Sequence, residues 1–308
     1  MKLDSNKNIF CSVSSGYSSV MMAIMMPTWF PDHNIINVMA NTSKEDPESL
    51  HFMNECDKYY NLNLVWLEAQ FHEHGVGVTY NVVKYEDLKR NGEIFEQGIK
   101  KFGIPSKVNK WCNRDMKLTI LTKYANDYFK RGYNKTASKI SGKMVYKKVN
   151  YSVAVGLRSD EMDRIRKDFR DNNVFYPLID HNISKKERNK FWKDKPIQIN
   201  LPAYKGNCDM CFQKSNRKLL TILKEEPYKG DWWDNMIKKY GKIPINGKPS
   251  YNDLMEQNNV MTFYRGYKTI EDLVKMAKQP FSKATDEYIY ENDLFDEEDE
   301  CGSGCSVF

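Results

Sequence analysis

The 308-residue sequence lacks a long hydrophobic run, and its longest one, residues 20–26, is too short to cross a bilayer. The N-terminus lacks the continuous apolar segment of a secretory signal, so we expect a cytoplasmic protein with no membrane partner. Seven cysteines, an odd number, are too few for a disulfide scaffold in a chain of this length. In a reducing compartment three roles are left for them, which are burial, metal or cluster ligation, and redox chemistry.

Two common nucleotide-binding motifs, G-x-x-x-x-G-K-[ST] and G-x-G-x-x-G, are also absent. P-loop NTPases and dinucleotide-binding Rossmann enzymes are therefore poor fits to this chain. The five histidines include no i, i+4 pair of the kind that binds a metal from one helix face. We accordingly predict no catalytic histidine.

The charge is distributed unevenly along the chain. Residues 286–308 contain nine of the 41 Asp and Glu and none of the 47 Lys and Arg, so this tail carries −9 and residues 1–285 carry +15. Two interpretations remain open. The tail is a solvated segment, or it docks across a basic, anion-binding cleft in its own body.

Short apolar runs alternate with helical patterns in the first half, as a parallel sheet with crossover helices requires. A helix is predicted to begin near Asp46-Pro47-Glu48, and strands are predicted at residues 9–13, 35–40, 62–67 and 151–157. The lysine-rich residues 130–148 predict a basic hairpin or loop. We therefore expect an α/β, Rossmann-like parallel sheet with flanking helices over residues 1–225, a smaller helical region over 226–285 and the acidic tail over 286–308.

Residues 14–19 (SSGYSS) join the first predicted strand to a helix. They place small residues, hydroxyl groups and backbone N–H groups at a helix N-terminus, where an anion is stabilised. Serine and glycine also connect strands to helices for purely geometric reasons, so this turn alone leaves both interpretations open.

Further short motifs follow along the chain, namely residues 41–45 (NTSKE), 105–107 (PSK), 111–114 (WCNR), 156–161 (GLRSDE), 176–180 (YPLID), 191–192 (FW) and 206–211 (GNCDMC). In this order, and with residues 14–19 similar to an S-G-G-x-D-S loop, they resemble the phosphoadenosine phosphosulfate (PAPS) reductase family of adenine nucleotide alpha hydrolases, particularly its phage-borne branch. The resemblance implies a HUP-type α/β fold that binds an adenine nucleotide. Ser15 stands where the family has its first glycine, and Ser18 where it has aspartate.

The resemblance also implies a set of binding residues. Arg158 is the predicted bidentate contact to a phosphate or sulfate. Because Ser18 removes a possible magnesium contact, the loop suits a sulfonucleotide, which has no triphosphate to activate, better than ATP. The full predicted set is Ser14, Ser15, Gly16, Ser18, Ser19, Asn41, Thr42, Glu45, Lys107, Arg114 and Arg158.

Cys208 and Cys211 form a C-x-x-C pair, whose spacing lets two thiolates converge on one metal or cluster or form a redox pair. By the resemblance, Cys112 adds a third thiol, so these three cysteines are predicted to ligate a [4Fe-4S] cluster or zinc. Buried reduced thiols are the alternative. Cys11 and Cys56 lie in apolar patterns and are predicted to be core residues.

The C-terminal Glu300-Cys301-Gly302 resembles the E-C-G-x-H segment of PAPS reductases, with Gly304 at the histidine position. The resemblance implies that Cys301 is the catalytic nucleophile. The five acidic residues before it raise the pKa of its thiol, so the thiolate is favoured only where the tail docks against cations. A reversible disulfide between Cys301 and Cys305 is the alternative.

Three functions are carried forward. The leading hypothesis is a sulfonucleotide reductase that acts on PAPS or adenylyl sulfate and forms sulfite through a cysteine S-sulfonate, which thioredoxin or glutaredoxin then reduces. The second is an ATP-dependent sulfur transferase that thiolates tRNA or DNA with a Cys-ligated cluster, its residues 130–148 contacting the nucleic acid. The third is a non-catalytic nucleotide or redox sensor. For a phage-encoded protein, the compartment is the cytoplasm of the bacterial host.

Overall fold

A computed structural model of the protein describes residues 7–73, 77–107, 109–130, 135–137, 144–146, 151–165, 173–241 and 261–285. No helix within these ranges is long and apolar enough to cross a membrane. The tail cysteines Cys301 and Cys305 lie outside the described residues, as does the whole predicted acidic tail.

The strands form one large sheet and one small one. Their bounds are β1 (Asn8–Ser12), β2 (Asn34–Asn41), β3 (Val65–Phe71), β4 (Val78–Val83), β5 (Lys135–Ala137), β6 (Met144–Tyr146), β7 (Ser152–Val155) and β8 (Val174–Phe175). The six-stranded sheet has the order β4-β3-β2-β1-β7-β8, and every neighbouring pair in it is parallel except β3 with β4. The predicted mixed α/β class with a mostly parallel sheet is confirmed.

The lysine-rich residues 130–148 contain the small sheet. Its strands β5 and β6 pair antiparallel, with Lys135 opposite Tyr146. The hairpin interpretation of this segment is therefore confirmed for the part that is described.

Helices cover the sheet. Their bounds are α1 (Tyr17–Trp29), α2 (Pro47–Tyr60), α3 (Glu93–Phe102), α4 (Trp111–Asn113), α5 (Thr119–Lys130), α6 (Pro177–Asp180), α7 (Lys185–Lys193), α8 (Asn216–Glu225), α9 (Asp231–Tyr240) and α10 (Ile270–Ala277). A π-helical turn, Arg114–Leu118, joins α4 to α5. The predicted start of α2 is confirmed, because Asp46 caps it by accepting a hydrogen bond from the N–H of Glu48 at 3.0 Å.

Successive side chains of β1 point to opposite faces of the sheet, as the pleat requires. Ile9 and Cys11 pack in one apolar cluster with α1 and α2, and Phe10 packs in the other with α3, α5, α8, α9 and α10. Cys11 and Cys56 are fully buried, and burial raises the pKa of Cys56 to about 12. Both predicted core cysteines are confirmed.

The strand order places a switch point beside β1. From β1 the chain first builds the sheet on one side, through β2 and β3, and later returns to add β7 and β8 on the other. In open α/β sheets, the crevice outside the carboxyl ends of the strands at such a switch point is where ligands bind. A ligand site is therefore expected among the loops that follow β1, β2 and β7.

Candidate functional site

The loop between β1 and α1 lies at this switch point. Gly16 precedes α1 and has no side chain to cap it, and its carbonyl accepts hydrogen bonds from Ser19 N and Val20 N at 3.0 and 3.1 Å. The hydroxyl of Ser19 turns back and accepts a hydrogen bond from Ser14 N at 2.9 Å. The first N–H groups of a helix have no acceptor within it, so this loop presents positive partial charge to the cleft.

The segment after β7 packs directly against this loop. A Cβ atom on Gly156 would lie 2.8 Å from Ser19 Cα and 3.2 Å from Ser19 N, both of which are backbone atoms. Only glycine therefore fits at residue 156 without moving the start of α1. Two motifs that are about 140 residues apart in the sequence meet here, and the hydrogen bond from Arg158 Nη1 to Ser18 Oγ at 3.2 Å joins them.

Arg158 is buried beneath the loop and shares its charge with two carboxylates. Its guanidinium donates to both oxygens of Asp160 at 3.0 Å and lies 3.3 Å from Glu161 Oε2. Burial opposes the ionisation of Asp160, but the hydrogen bonds and charge of Arg158 outweigh it and lower the pKa of Asp160. The predicted anion contact thus lies beside the loop, oriented by its own acidic partners.

A second cation, Arg188 of α7, adds to the positive charge at this point, and sequence analysis missed it. Its guanidinium lies 6.0 Å from the centre of the Tyr17 ring, next to the start of α1. Burial and the positive charge of Arg158 lower the pKa of Arg188. The basic composition of α7 was the one sequence feature that could have indicated Arg188. No local pattern in the sequence shows that α7 packs near Tyr17.

The segment after β2, residues 41–45, is fixed by buried hydrogen bonds. The amide nitrogen of Asn41 donates to Glu68 Oε1 at 2.7 Å and to Lys89 O at 2.8 Å, while its amide oxygen accepts from Ser43 N at 3.0 Å. Ser43, in the middle of this segment, adopts a left-handed φ of 65°. Asn41 is fully buried and therefore shapes this segment through protein partners.

Glu45 is the acidic residue that this segment turns towards the cleft. Its Oε2 accepts hydrogen bonds from Thr42 N at 2.9 Å and from Thr42 Oγ1 at 2.8 Å. Its Oε1 is buried without a hydrogen-bond partner among the described residues, and Lys117 Nζ lies 4.0 Å away. Thr42 thus holds one carboxylate oxygen, while the other faces Lys117 in an ion pair and has no hydrogen bond among the described residues.

A small cleft joins these elements at the carboxyl ends of β1 and β2. Its polar lining is contributed by Ser12, Ser14, Ser15, Glu45, Lys117 and Asn207. Lys117 and Asn207 were missed in the sequence. Lys117 is placed by the π-helical turn, and Asn207 by a loop in which it adopts a left-handed φ of 62°.

The predicted binding residues thus divide into four groups. Ser14, Ser15 and Glu45 line the cleft. The contacts described above place Gly16, Ser18, Ser19 and Arg158 at the adjoining start of α1, and Asn41 and Thr42 behind Glu45. Arg114 is exposed, pairs with Asp115 at 2.6 Å and lies outside the cleft lining, as does the exposed Lys107.

The C-x-x-C segment docks on residues 41–45. Cys208 forms a backbone bridge with Glu45, and Asp209 N donates to Lys44 O at 3.0 Å. The side chains of Lys44 and Asp209 form a buried ion pair at 3.0 Å. Because the Thr42 hydroxyl donates to the Glu45 carboxylate, the Cys208 thiol is the donor across the 3.3 Å contact between Cys208 Sγ and Thr42 Oγ1.

The described residues contain no group of three or more His, Cys, Asp or Glu arranged to hold a metal ion. Cys112 and Cys208 are buried and Cys211 is half-buried, but they are not gathered into one ligand set. The ligation of a [4Fe-4S] cluster or zinc by these three cysteines therefore stays a prediction.

Lys214 fixes the C-x-x-C segment through hydrogen bonds to the backbone just before it. It is buried, and its Nζ donates to the carbonyl oxygens of Tyr204 and Gly206, both at 2.7 Å. Burial lowers the pKa of Lys214 to about 8, against the opposing effect of Cys211, Asp209 and Cys208. The lysine therefore fixes the loop that carries Asn207 and Cys208.

The fold and site define an open α/β protein with a small polar cleft at its switch point. No protein-family model matches the chain. The chain is 24% identical over 275 residues to the uncharacterized nin region protein ORF290 of Escherichia phage lambda, an alignment that covers 88% of the chain and 84% of the phage protein. It is also 24% identical over 251 residues to the uncharacterized protein MJ0973 of Methanocaldococcus jannaschii, which covers 77% of the chain and 49% of the archaeal protein.

Proposed function

We propose that the cleft binds an adenine nucleotide, with the anionic end of the ligand at residues 14–19. One observation carries this proposal: the loop after β1 and the Gly156-to-Arg158 segment after β7 meet at the switch point of the sheet. There the N–H groups of α1 and the cations Arg158 and Arg188 all favour a phosphate or sulfate. The same arrangement supports the HUP-type assignment of the fold.

The proposed reaction is reduction of a sulfonucleotide, PAPS or adenylyl sulfate. The Cys301 thiolate attacks the sulfur of the sulfate group, forming an S–S bond as the bond from sulfur to the bridging oxygen breaks. The nucleotide leaves with that electron pair as its phosphate. A dithiol of the thioredoxin or glutaredoxin type then attacks the S-sulfonate and is oxidised to a disulfide while sulfite leaves. The order of the family-like motifs supports this reaction.

The test uses the full-length protein with PAPS or adenylyl sulfate and a thioredoxin system, with sulfite measured. Cys301→Ser is expected to abolish sulfite release, whereas Cys305→Ser, the matched change at the other tail cysteine, leaves the first half-reaction intact. Without reductant, mass spectrometry is expected to find one added SO3 group on Cys301. Unchanged sulfite release by Cys301→Ser would refute the assigned nucleophile.

The basic hairpin formed by β5 and β6 favours a second candidate, ATP-dependent sulfur transfer to tRNA or DNA. It predicts magnesium-dependent release of pyrophosphate from ATP that tRNA or DNA stimulates. Nucleotide binding without product in either assay would instead favour the non-catalytic sensor.

A further inference from the structure

One oxygen of the cleft has an unmet hydrogen-bonding requirement. Glu45 is 5% exposed, and its Oε1 has no hydrogen-bond partner among the residues that the structure describes. A buried carboxylate oxygen without a donor is costly, and native proteins rarely leave one. Lys117 Nζ, at 4.0 Å, is beyond hydrogen-bond distance.

The surroundings of this oxygen restrict what can donate to it. Glu45 shares one small cleft with Ser14 and Ser15, so a ligand whose anion lies at residues 14–19 passes close to it. Lys117 Nζ already provides positive charge 4.0 Å from this oxygen, so the carboxylate does not require a second cation to balance its charge. A neutral O–H or N–H group of the ligand can donate to Glu45 Oε1 without bringing further charge into the buried site.

We infer that Glu45 Oε1 accepts a hydrogen bond from a sugar hydroxyl of the bound nucleotide, so that Glu45 selects ribonucleotides over deoxyribonucleotides. This inference rests on the proposed nucleotide binding. In a nucleoside 5′-phosphate the sugar hydroxyls are the donors closest to the phosphate, whereas the amine of adenine lies at the far end of the molecule. Thr42 fixes the carboxylate through Oε2, so Oε1 is held in place before the ligand arrives.

The informative substitution is Glu45→Gln. Its amide oxygen can keep both hydrogen bonds from Thr42, which leaves an NH2 group where the accepting Oε1 stood. The sugar hydroxyl then loses its charge-assisted hydrogen bond to the carboxylate, and the NH2 group can only donate to the hydroxyl oxygen in a weaker neutral bond. Glu55→Gln is the matched control, since it removes the same charge from a partly exposed position of α2 that is ion-paired with Lys58.

Calorimetry on the full chain compares AMP with 2′-deoxy-AMP, 3′-deoxy-AMP and purine riboside 5′-monophosphate, which lacks the amine. For the wild-type protein, one of the two deoxy ligands is expected to bind about 10- to 100-fold more weakly than AMP, the range for a hydrogen bond to a charged group. In Glu45→Gln that ratio is expected to collapse towards one, while Glu55→Gln retains it. The ratio does not depend on how the lost charge changes phosphate affinity overall.

The outcomes separate this inference from the proposed function. If wild-type protein binds AMP and both deoxy ligands equally, or Glu45→Gln keeps the wild-type ratio, the inference is wrong and nucleotide binding stands. A loss confined to the purine riboside ligand assigns Oε1 to the base and also overturns it. If no nucleotide binds the wild-type protein, both proposals fail. If Glu45→Gln does not fold, the affinities of the wild-type protein for AMP and the two deoxy ligands still test whether a sugar hydroxyl is recognised.

Discussion

Replacing Gly156 by alanine tests the contact on which the site depends. The added Cβ would lie 2.8 Å from Ser19 Cα, 3.2 Å from Ser19 N and 3.4 Å from Ser18 C. These are backbone atoms of the first turn of α1, which cannot rotate away as a flexible side chain can. The start of α1 must therefore move away from the segment after β7.

Overpacking of this kind typically costs about 1–3 kcal/mol in the free energy of unfolding. The φ angle of Gly156 is not in the left-handed region, so the cost comes from this steric contact alone. The same shift separates Arg158 from Ser18, whose hydrogen bond already spans 3.2 Å. We expect the affinity for an adenine nucleotide to fall further than stability, because the shift displaces the anion loop itself.

Urea unfolding measures the change in stability, and calorimetric titration with AMP measures the change in affinity. Gly206→Ala is the matched control, since its Cβ would meet only Ala203 O, at 3.4 Å, in ordinary contact. Wild-type stability and affinity in Gly156→Ala would refute the argument that this glycine is required by close packing at the switch point. Equal losses in both variants would show that the close approach to Ser19 is not their cause.

Two more predictions concern the cations around the cleft. Arg158→Lys keeps the charge, but a lysine cannot donate in parallel to both Asp160 oxygens and also reach Ser18. We therefore expect this variant to bind a nucleotide at least tenfold more weakly, as measured by calorimetry. Wild-type affinity would contradict the role of Arg158 in binding. Lys214→Met tests the buried lysine by urea unfolding across pH. Because the pKa of Lys214 is lowered to about 8 from 10.5, the unfolded state binds more protons between these values, so wild-type stability should rise relative to Lys214→Met by up to about 3 kcal/mol over that window. A pH-independent difference would show that Lys214 stays protonated in the folded protein.

The strands that could be predicted from the sequence are those buried on both faces. The mainly apolar runs at residues 9–13 and 35–40 correspond to β1 and β2 within a residue or so at each end, because a parallel central strand is apolar along most of its length. The edge strand β4 was missed, since half-buried residues dominate it and no apolar run marks it. The two-residue β8 carries even less local signal.

The site was predictable only in part, for a related reason. Local pattern located the loop before α1, but the resemblance was needed to connect it with Arg158. Lys117 was missed because the π-helical turn adds a residue to the helical repeat and changes the face on which side chains emerge. Arg188 and Asn207 reach the site only through tertiary packing, which no local pattern encodes.

The contacts of Arg158 give a physical reason for serine, rather than aspartate, at residue 18. Arg158 is already in contact with the two carboxylates of Asp160 and Glu161. An aspartate at residue 18 would bring a third negative charge to the same guanidinium. Ser18 instead offers a neutral hydroxyl that accepts from Arg158 at 3.2 Å. With Arg188 nearby, the loop keeps positive charge of its own, which favours an anionic group beside it without a metal ion.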